Sequence, residues 1–184
     1  MTPAEYWRTG AGLKNITPRG KAWPEGEGFG AFMLDLVGDD HLLEFGCGTG
    51  RLAALFEPDR YTGVDICAGA LARAGVTLPD HRFVLIGEHA PLPVADVTLF
   101  HTVLLHIADD ELHATVERIH SRRVIVSEVC GRHWRRDGLP PVFNREPAEY
   151  AAAFAPRYRL MQVRHRPYPH YVNTDLTVME FERC

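Results

Sequence analysis

The stretch HLLEFGCGTGRL, His41 to Leu52, narrows the fold more than any other part of the chain. An apolar run with Glu44 near its end reads as a buried strand, and Gly46, Gly48 and Gly50 then recur at alternate positions. Glycines so spaced permit a sharp turn with positive φ and let a ligand lie against bare main chain. Doubly wound sheets place such a turn between a strand and a helix, at the carboxyl edge where their ligands bind.

The rest of the chain keeps that rhythm. Runs rich in valine, isoleucine, leucine and aromatics predict strands at His41–Phe45, Tyr61–Asp65, Arg82–Ile86, Val97–Thr102, Val124–Val129, Leu160–His165 and Leu176–Phe181. Helical spacing falls between them, at Gly30–Val37, Gly50–Phe56, Ala68–Ala74, Asp109–His120 and Pro147–Phe154. Alternation of this kind predicts an α/β sandwich, and strands apolar on both faces suit a parallel sheet covered by helices. The last two strands are joined only by RPYPHYVNT, too short for a helical crossover, so they should form an antiparallel hairpin. Residues 1–28 stand apart: Trp7, Trp23 and three prolines lie there without sustained periodicity, as in a segment that covers a site.

At 184 residues the chain suffices for one domain with a substantial core. It holds no apolar run near the roughly 20 residues that span a bilayer, and MTPAEYWRTG lacks the layout of a signal peptide; the expected location is cytoplasmic. Cys47, Cys67, Cys130 and Cys184 are scattered, so neither a disulfide framework nor a metal site is expected. The net charge of -4 hides an asymmetry, for residues 121–184 carry 11 basic and 7 acidic side chains. GRHWRRDG supplies much of that basic density, and suits either an acidic ligand or a solvated loop.

Spacing separates the ligand classes that use such a turn. A dinucleotide fingerprint, GxGxxG, needs glycine where this chain has Arg51; the pattern here is GxGxG. Glu44 places a carboxylate under the turn, fit to order loop amides and attract a cationic ligand, and of little use to a pyrophosphate. Asp65, at the carboxyl end of the second strand in YTGVDIC, can accept hydrogen bonds from both hydroxyls of a ribose. It can equally cap the helix starting at Ala68, although Cys67 is the more obvious capping position.

At this point LLEFGCGTGRL, YTGVDIC, VLIGEHAPLPVADVTLFHTVLLHI and RRVIVSEV resemble, in order and spacing, the successive motifs of class I (Rossmann-like) S-adenosylmethionine-dependent methyltransferases. The resemblance covers roughly residues 30–130. It implies a three-layer doubly wound α/β sandwich, whose seven-stranded, mostly parallel sheet has an antiparallel last strand. A single domain over 1–184 is expected from the length, with 1–28 as a lid or extension. Carried over by position, the resemblance puts Glu44, Gly46, Cys47, Gly48 and Gly50 against the methionine part of S-adenosylmethionine. Asp65 then holds the ribose, Ile66 packs on adenine, Glu88 takes the adenine amino group, and Gly87 and His89 flank the ring.

The same resemblance sets His101 and Thr102 beside the transferred methyl. His101 is then either a catalytic or substrate contact or a core histidine satisfied by a neighbour, while His106, just past this strand, reads as structural. Glu128, His133 and His170 are further candidates for a general base, and Glu128 can equally hold a loop. Tyr6, Trp7, Trp134, Tyr168 and Tyr171 are candidate lining residues, because aromatic faces accommodate acceptors and stabilise nearby positive charge. Without large insertions, a small-molecule acceptor methylated on N, O or C is expected. Alternatives are methylation of RNA or protein, or a protein that binds the cofactor without catalysis. No Asn/Asp-Pro-Pro-Tyr/Phe motif points to nucleobase amino groups. The oligomeric state has no signature.

Overall fold

The computed structural model describes residues 1–16, 26, 28–168 and 173–184. Its strands are β1 (Leu42–Phe45), β2 (Tyr61–Asp65), β3 (Arg82–Leu85), β4 (Val97–His101), β5 (Arg123–Val129), β6 (Tyr158–Pro167) and β7 (Asp175–Arg183). They form one sheet in the order β3-β2-β1-β4-β5-β7-β6, with β7 alone running antiparallel to the other six. The expected seven-stranded sheet and terminal hairpin are therefore present. Strand order reverses beside β1, so the carboxyl ends of β1 and β4 diverge into a crevice.

The helices are α1 (Pro3–Arg8), α2 (Gly10–Leu13), α3 (Phe29–Val37), α4 (Ala68–Thr77), α5 (Asp109–Glu117) and α6 (Pro147–Phe154). Capping boxes, Thr2 with Glu5 and Glu146 with Glu149, start α1 and α6, each followed by proline where its missing N–H costs nothing. Three acids open α5, where they meet the positive end of the helix dipole.

Period-two alternation splits the core between the sheet faces. Leu43, Phe45, Phe100, Val124 and Val126 face one way, into a cluster with Leu112, Val116, Tyr150 and Phe154 of α5 and α6. Leu42, Val97, Leu99 and Ile125 face the other, against Phe29, Met33, Leu36 and Val37 of α3.

The helix expected at Gly50–Phe56 does not form. Ten residues separate Gly50 from Tyr61, and as an α-helix they would span only about 15 Å, the length of β2 itself, leaving nothing for the turns at either end. The chain returns instead through two 3-10 turns, Ala53–Leu55 and Pro58–Arg60, which gain more length per residue. Leu52, Ala53 and Phe56 still bury against that face of the sheet. The N-terminal segment differs from expectation in the other direction, since α1 and α2 are helical despite its short periodicity.

Candidate functional site

The glycine turn lies where β1 ends. Gly46 and Cys47 donate their N–H groups to the carbonyl of Val64 at 2.8 and 3.1 Å, which folds the chain over β2. Gly46 (φ 74°) has Val103 so close that a Cβ would stand 2.5 Å from its Cγ2. Both the backbone angle and the contact exclude a side chain. Gly46→Ala should lower stability by about 1–3 kcal/mol, read as the fall in a thermal unfolding curve. Gly48 (φ 55°) is approached from outside instead, by Ile16.

Asp65 fastens this turn from below. One carboxylate oxygen accepts from the Gly48 N–H at 2.8 Å and the other from the Cys67 N–H at 2.8 Å. Burial raises its pKa, opposed by the amides of Cys67, Gly48 and Ile66. Cys67 occupies the cap position of α4 but makes no side-chain cap bond, so the Asp65 carboxylate serves that end too.

Glu44 is 4% exposed and receives the Tyr61 hydroxyl hydrogen bond. Gly63 makes this possible, since a Cβ there would stand 2.7 Å from Cys47 Sγ and 2.8 Å from the Tyr61 oxygen. Burial lifts the Glu44 pKa to about 7, against the lowering effects of Tyr61 and Arg51. Glu128, wholly buried, rises to about 8 for the same first reason. Both groups carry 4.5 as their ordinary value, so between about pH 4.5 and 8 the folded protein binds more protons than the unfolded chain. Their contribution to stability is complete below that window and is lost as pH rises through it. In denaturant titrations Glu128→Gln and Glu44→Gln should each flatten this decline, whose persistence in the double variant would disprove the assignment.

At the end of β4, His101 is 6% exposed and lies against Phe29, with ring centroids 5.2 Å apart. Its Nε2 sits 3.3 Å from an Arg51 Nη2, which can only donate, so Nε2 accepts and Nδ1 donates to Ser127 Oγ at 3.1 Å. Both ring nitrogens are thus engaged. Thr102 then turns with φ 53°, and Glu128 Oε1 accepts from the amides of Val103 and Leu104 at 2.9 and 2.7 Å. Arg145, 2% exposed, binds the far side of that turn through the carbonyls of Leu104 and Ile107 and the carboxylate of Asp109. Glu128 holds a loop from behind.

The roof comes from two segments. The Trp7 ring of α1 lies against His106, centroids 4.6 Å apart, and Arg8 pairs with Glu88 at 2.8 Å. Half-exposed on both sides, that pair is worth about 1 kcal/mol or less. Arg118 holds the loop carrying Glu88 through the carbonyls of Ala90, Glu88 and Gly87. The second segment runs from Gly131 to Arg145 and closes on itself where Arg136 and Val142 exchange main-chain hydrogen bonds. His106 gives Nδ1 to the Pro141 carbonyl at 3.0 Å, and burial, with Arg136 nearby, holds its pKa down to about 4.

Between roof and sheet edge lies a cavity of about 720 Å³. Glu44, Gly46, Cys47, Gly48, Asp65, Ile66, Glu88, His89 and His101 line it, as do Trp7, Trp134 and Tyr168. Gly50, Gly87, Glu128, His133 and Tyr6 do not. Gly50 turns toward Phe83 and Leu78, Gly87 reaches the site only through its carbonyl to Arg118, and Tyr6 is buried beside Trp7 and bonded by Asn15. Tyr171, His170 and Trp23 lie outside the described residues. Sequence reasoning missed Tyr61, Arg118, Ile16, Asn144 and Arg145. Only Tyr61 had a visible cue, its place two residues before a glycine in a buried strand. Among the described residues no group of His, Cys, Asp and Glu could hold a metal ion, and no helix is long and apolar enough to cross a membrane.

Residues 43–124 match the family model described as a methyltransferase domain. No curated protein sequence matches the chain significantly. Among solved structures, the magnesium protoporphyrin IX methyltransferase of Synechocystis PCC 6803 with bound SAM superposes with a TM-score of 0.73 at 14% identity, covering 100% of this chain and 98% of that one. The 1,6-didemethyltoxoflavin-N1-methyltransferase of Burkholderia thailandensis gives 0.64 at 20% identity, over 84% and 76%. Geranyl diphosphate C-methyltransferase from Streptomyces coelicolor A3(2) gives 0.68 at 14%, over 99% and 96%. Residues 43–124 thus match a methyltransferase-domain model, and the whole chain shares the Rossmann-like fold of these methyltransferase structures.

Proposed function

We infer that the protein transfers the methyl group of S-adenosylmethionine to a nucleophilic atom of a small molecule, with residues 1–16, the described part of the expected lid, covering the site. The observation that carries this is the conjunction of a bare main-chain turn at Gly46 and Gly48 with two buried carboxylates, Glu44 and Asp65, lining one cavity at the point where strand order reverses. These residues fit the cofactor. Asp65 would accept the ribose hydroxyls, Ile66 and His89 would lie along the adenine, and Glu44 with the turn amides would meet the methionine end.

Bound there, S-adenosylmethionine supplies an electrophilic methyl group on a positively charged sulfur. The protein's part is alignment and exclusion of water, and effective molarities of about 10⁵ M or more make alignment sufficient for a reactive nucleophile. Val103 and the Glu128-anchored turn set the floor of the site; Trp7, Asn15 and Ile16 overlie it and keep water out. The structural relatives named above act on small molecules of several kinds, which supports a small acceptor here.

Calorimetric titration with S-adenosylhomocysteine tests the reading, and micromolar or tighter binding is expected. The ligand's α-ammonium, set near Glu44, favours the ionised carboxylate, so binding should release a proton near neutrality and tighten as pH rises from 6 to 8. Glu44→Gln should remove that dependence. Absence of binding at any pH would overturn the assignment.

A further inference from the structure

The acceptor end of the cavity carries polar atoms that the described residues leave unmatched. Asn144 is 2% exposed and lines the cavity; its Nδ2 donates to the carbonyl of Val129 at 2.8 Å, while Oδ1 has no partner among the described residues. The bond to Val129 fixes which way the amide faces, because only the NH₂ can donate. A buried acceptor left unsatisfied costs about 1–3 kcal/mol, so a ligand N–H or O–H is favoured there. Trp7 Nε1, also on the lining, is buried and without a partner among the described residues.

Charge adds a second constraint. In the basic run, Arg132 is bonded to Glu149 and Arg135 to Asp109, but Arg136 has no hydrogen bond or ion pair from its guanidinium among the described residues, and it lines the cavity near His106. Glu88, paired with Arg8, and Asp110 and Glu111, in the first turn of α5 close to Glu88, also line it. The acceptor end therefore presents an unpaired cation, a free donor at Trp7 and a free acceptor at Asn144.

Nor, among the described residues, is a strong proton acceptor placed there. His101 has both nitrogens engaged, Glu128 lies outside the cavity with Oε1 on two amides, and Glu44 takes the Tyr61 hydroxyl. His106 gives up Nδ1 to Pro141 and is too desolvated to hold a proton near neutrality. A carboxylate nucleophile arrives ionised: one of its oxygens forms the O–CH₃ bond as the S–CH₃ bond breaks, giving a methyl ester and neutral S-adenosylhomocysteine, with no proton to be placed.

Resting on the methyltransferase reading above, we propose that the acceptor is a planar aromatic acid, bound as its anion toward Arg136 and Trp7 Nε1, with a neighbouring N–H or O–H donated to Asn144 Oδ1. The Trp7 and Trp134 rings supply the faces for a flat molecule.

The test loads the full-length protein with S-adenosylhomocysteine and titrates four matched probes by calorimetry. Indole-2-carboxylate has the anion, the plane and the donor; indole-2-carboxamide lacks the charge, benzofuran-2-carboxylate lacks the N–H, and 2-(aminomethyl)indole reverses the charge. Indole-2-carboxylate should bind about tenfold or more tightly than each of the other three, the donor's share following from the unsatisfied-acceptor cost. Arg136→Gln, at an exposed position, should erase the preference for carboxylate over carboxamide and leave that over benzofuran. Equal binding of the amide or the amine, no preference for the N–H, or no binding of any probe to the loaded protein overturns the proposal. Failure to take up S-adenosylhomocysteine itself overturns the methyltransferase reading instead, so the two failures are distinguishable.

Discussion

Replacing Asp65 by alanine is expected to weaken S-adenosylhomocysteine binding by at least about 100-fold while the protein remains folded. The carboxylate now satisfies the amides of Gly48 and Cys67, and on the proposed reading it is also the acceptor for two ribose hydroxyls. A hydrogen bond to a charged group contributes about 1.5–3 kcal/mol, so losing two from the complex passes the 100-fold mark. Asp65→Asn is the sharper comparison. It keeps the volume but turns one acceptor into an NH₂ group facing a backbone N–H, and should recover little of the loss. A near-wild-type affinity in the alanine variant, measured by calorimetry, would remove Asp65 from the cofactor site and leave it a turn fastener only.

Replacing Arg145 by alanine should be the most destabilising single change in the site's surroundings. Its guanidinium is almost fully buried, bonded to two carbonyls of the loop after β4 and to Asp109, and it is the cation that lowers the raised Glu128 pKa. Removing one partner of such a buried set costs about 3–5 kcal/mol, and for a chain this long each kcal/mol is worth roughly 2–4 °C. A drop of roughly 6–20 °C in thermal midpoint is therefore expected. Because Val103, Leu105, His106 and Ile107 of that loop line the cavity, cofactor affinity should fall as well. A midpoint within 2 °C of wild type would mean that neighbouring carbonyls find other donors and that the loop is held by packing alone.

His101 and His106 show how far sequence reading reaches a site. A histidine at the carboxyl end of β4 invites a catalytic role, yet its ring lies on Phe29 and both nitrogens are taken, by partners 26 and 50 positions away in the chain. His106, which looked structural, is indeed tied to Pro141, but its other side belongs to the cavity roof beneath Trp7. The basic run GRHWRRDG looked like one cluster. In space it separates into two arginines bonded to acids and one facing the cavity. Side-chain charge is visible in a sequence; its partner is not, because pairing is decided by contacts distant along the chain.

What the amino-acid sequence determined alone was local: seven strands from their apolar runs, a turn where glycines recur, a hairpin from a short final link, and acids at two strand ends. Each depends on neighbouring residues, through steric limits on φ and ψ and through period-two burial. The tertiary structure decided the rest. It replaced a helix by two 3-10 turns because the span was too short, laid Ile16 over the glycine turn, and left Asn144 Oδ1, Trp7 Nε1 and the Arg136 guanidinium without partners among the described residues. Satisfaction of a buried polar atom is a property of the whole packing, so it becomes legible only when the chain is folded.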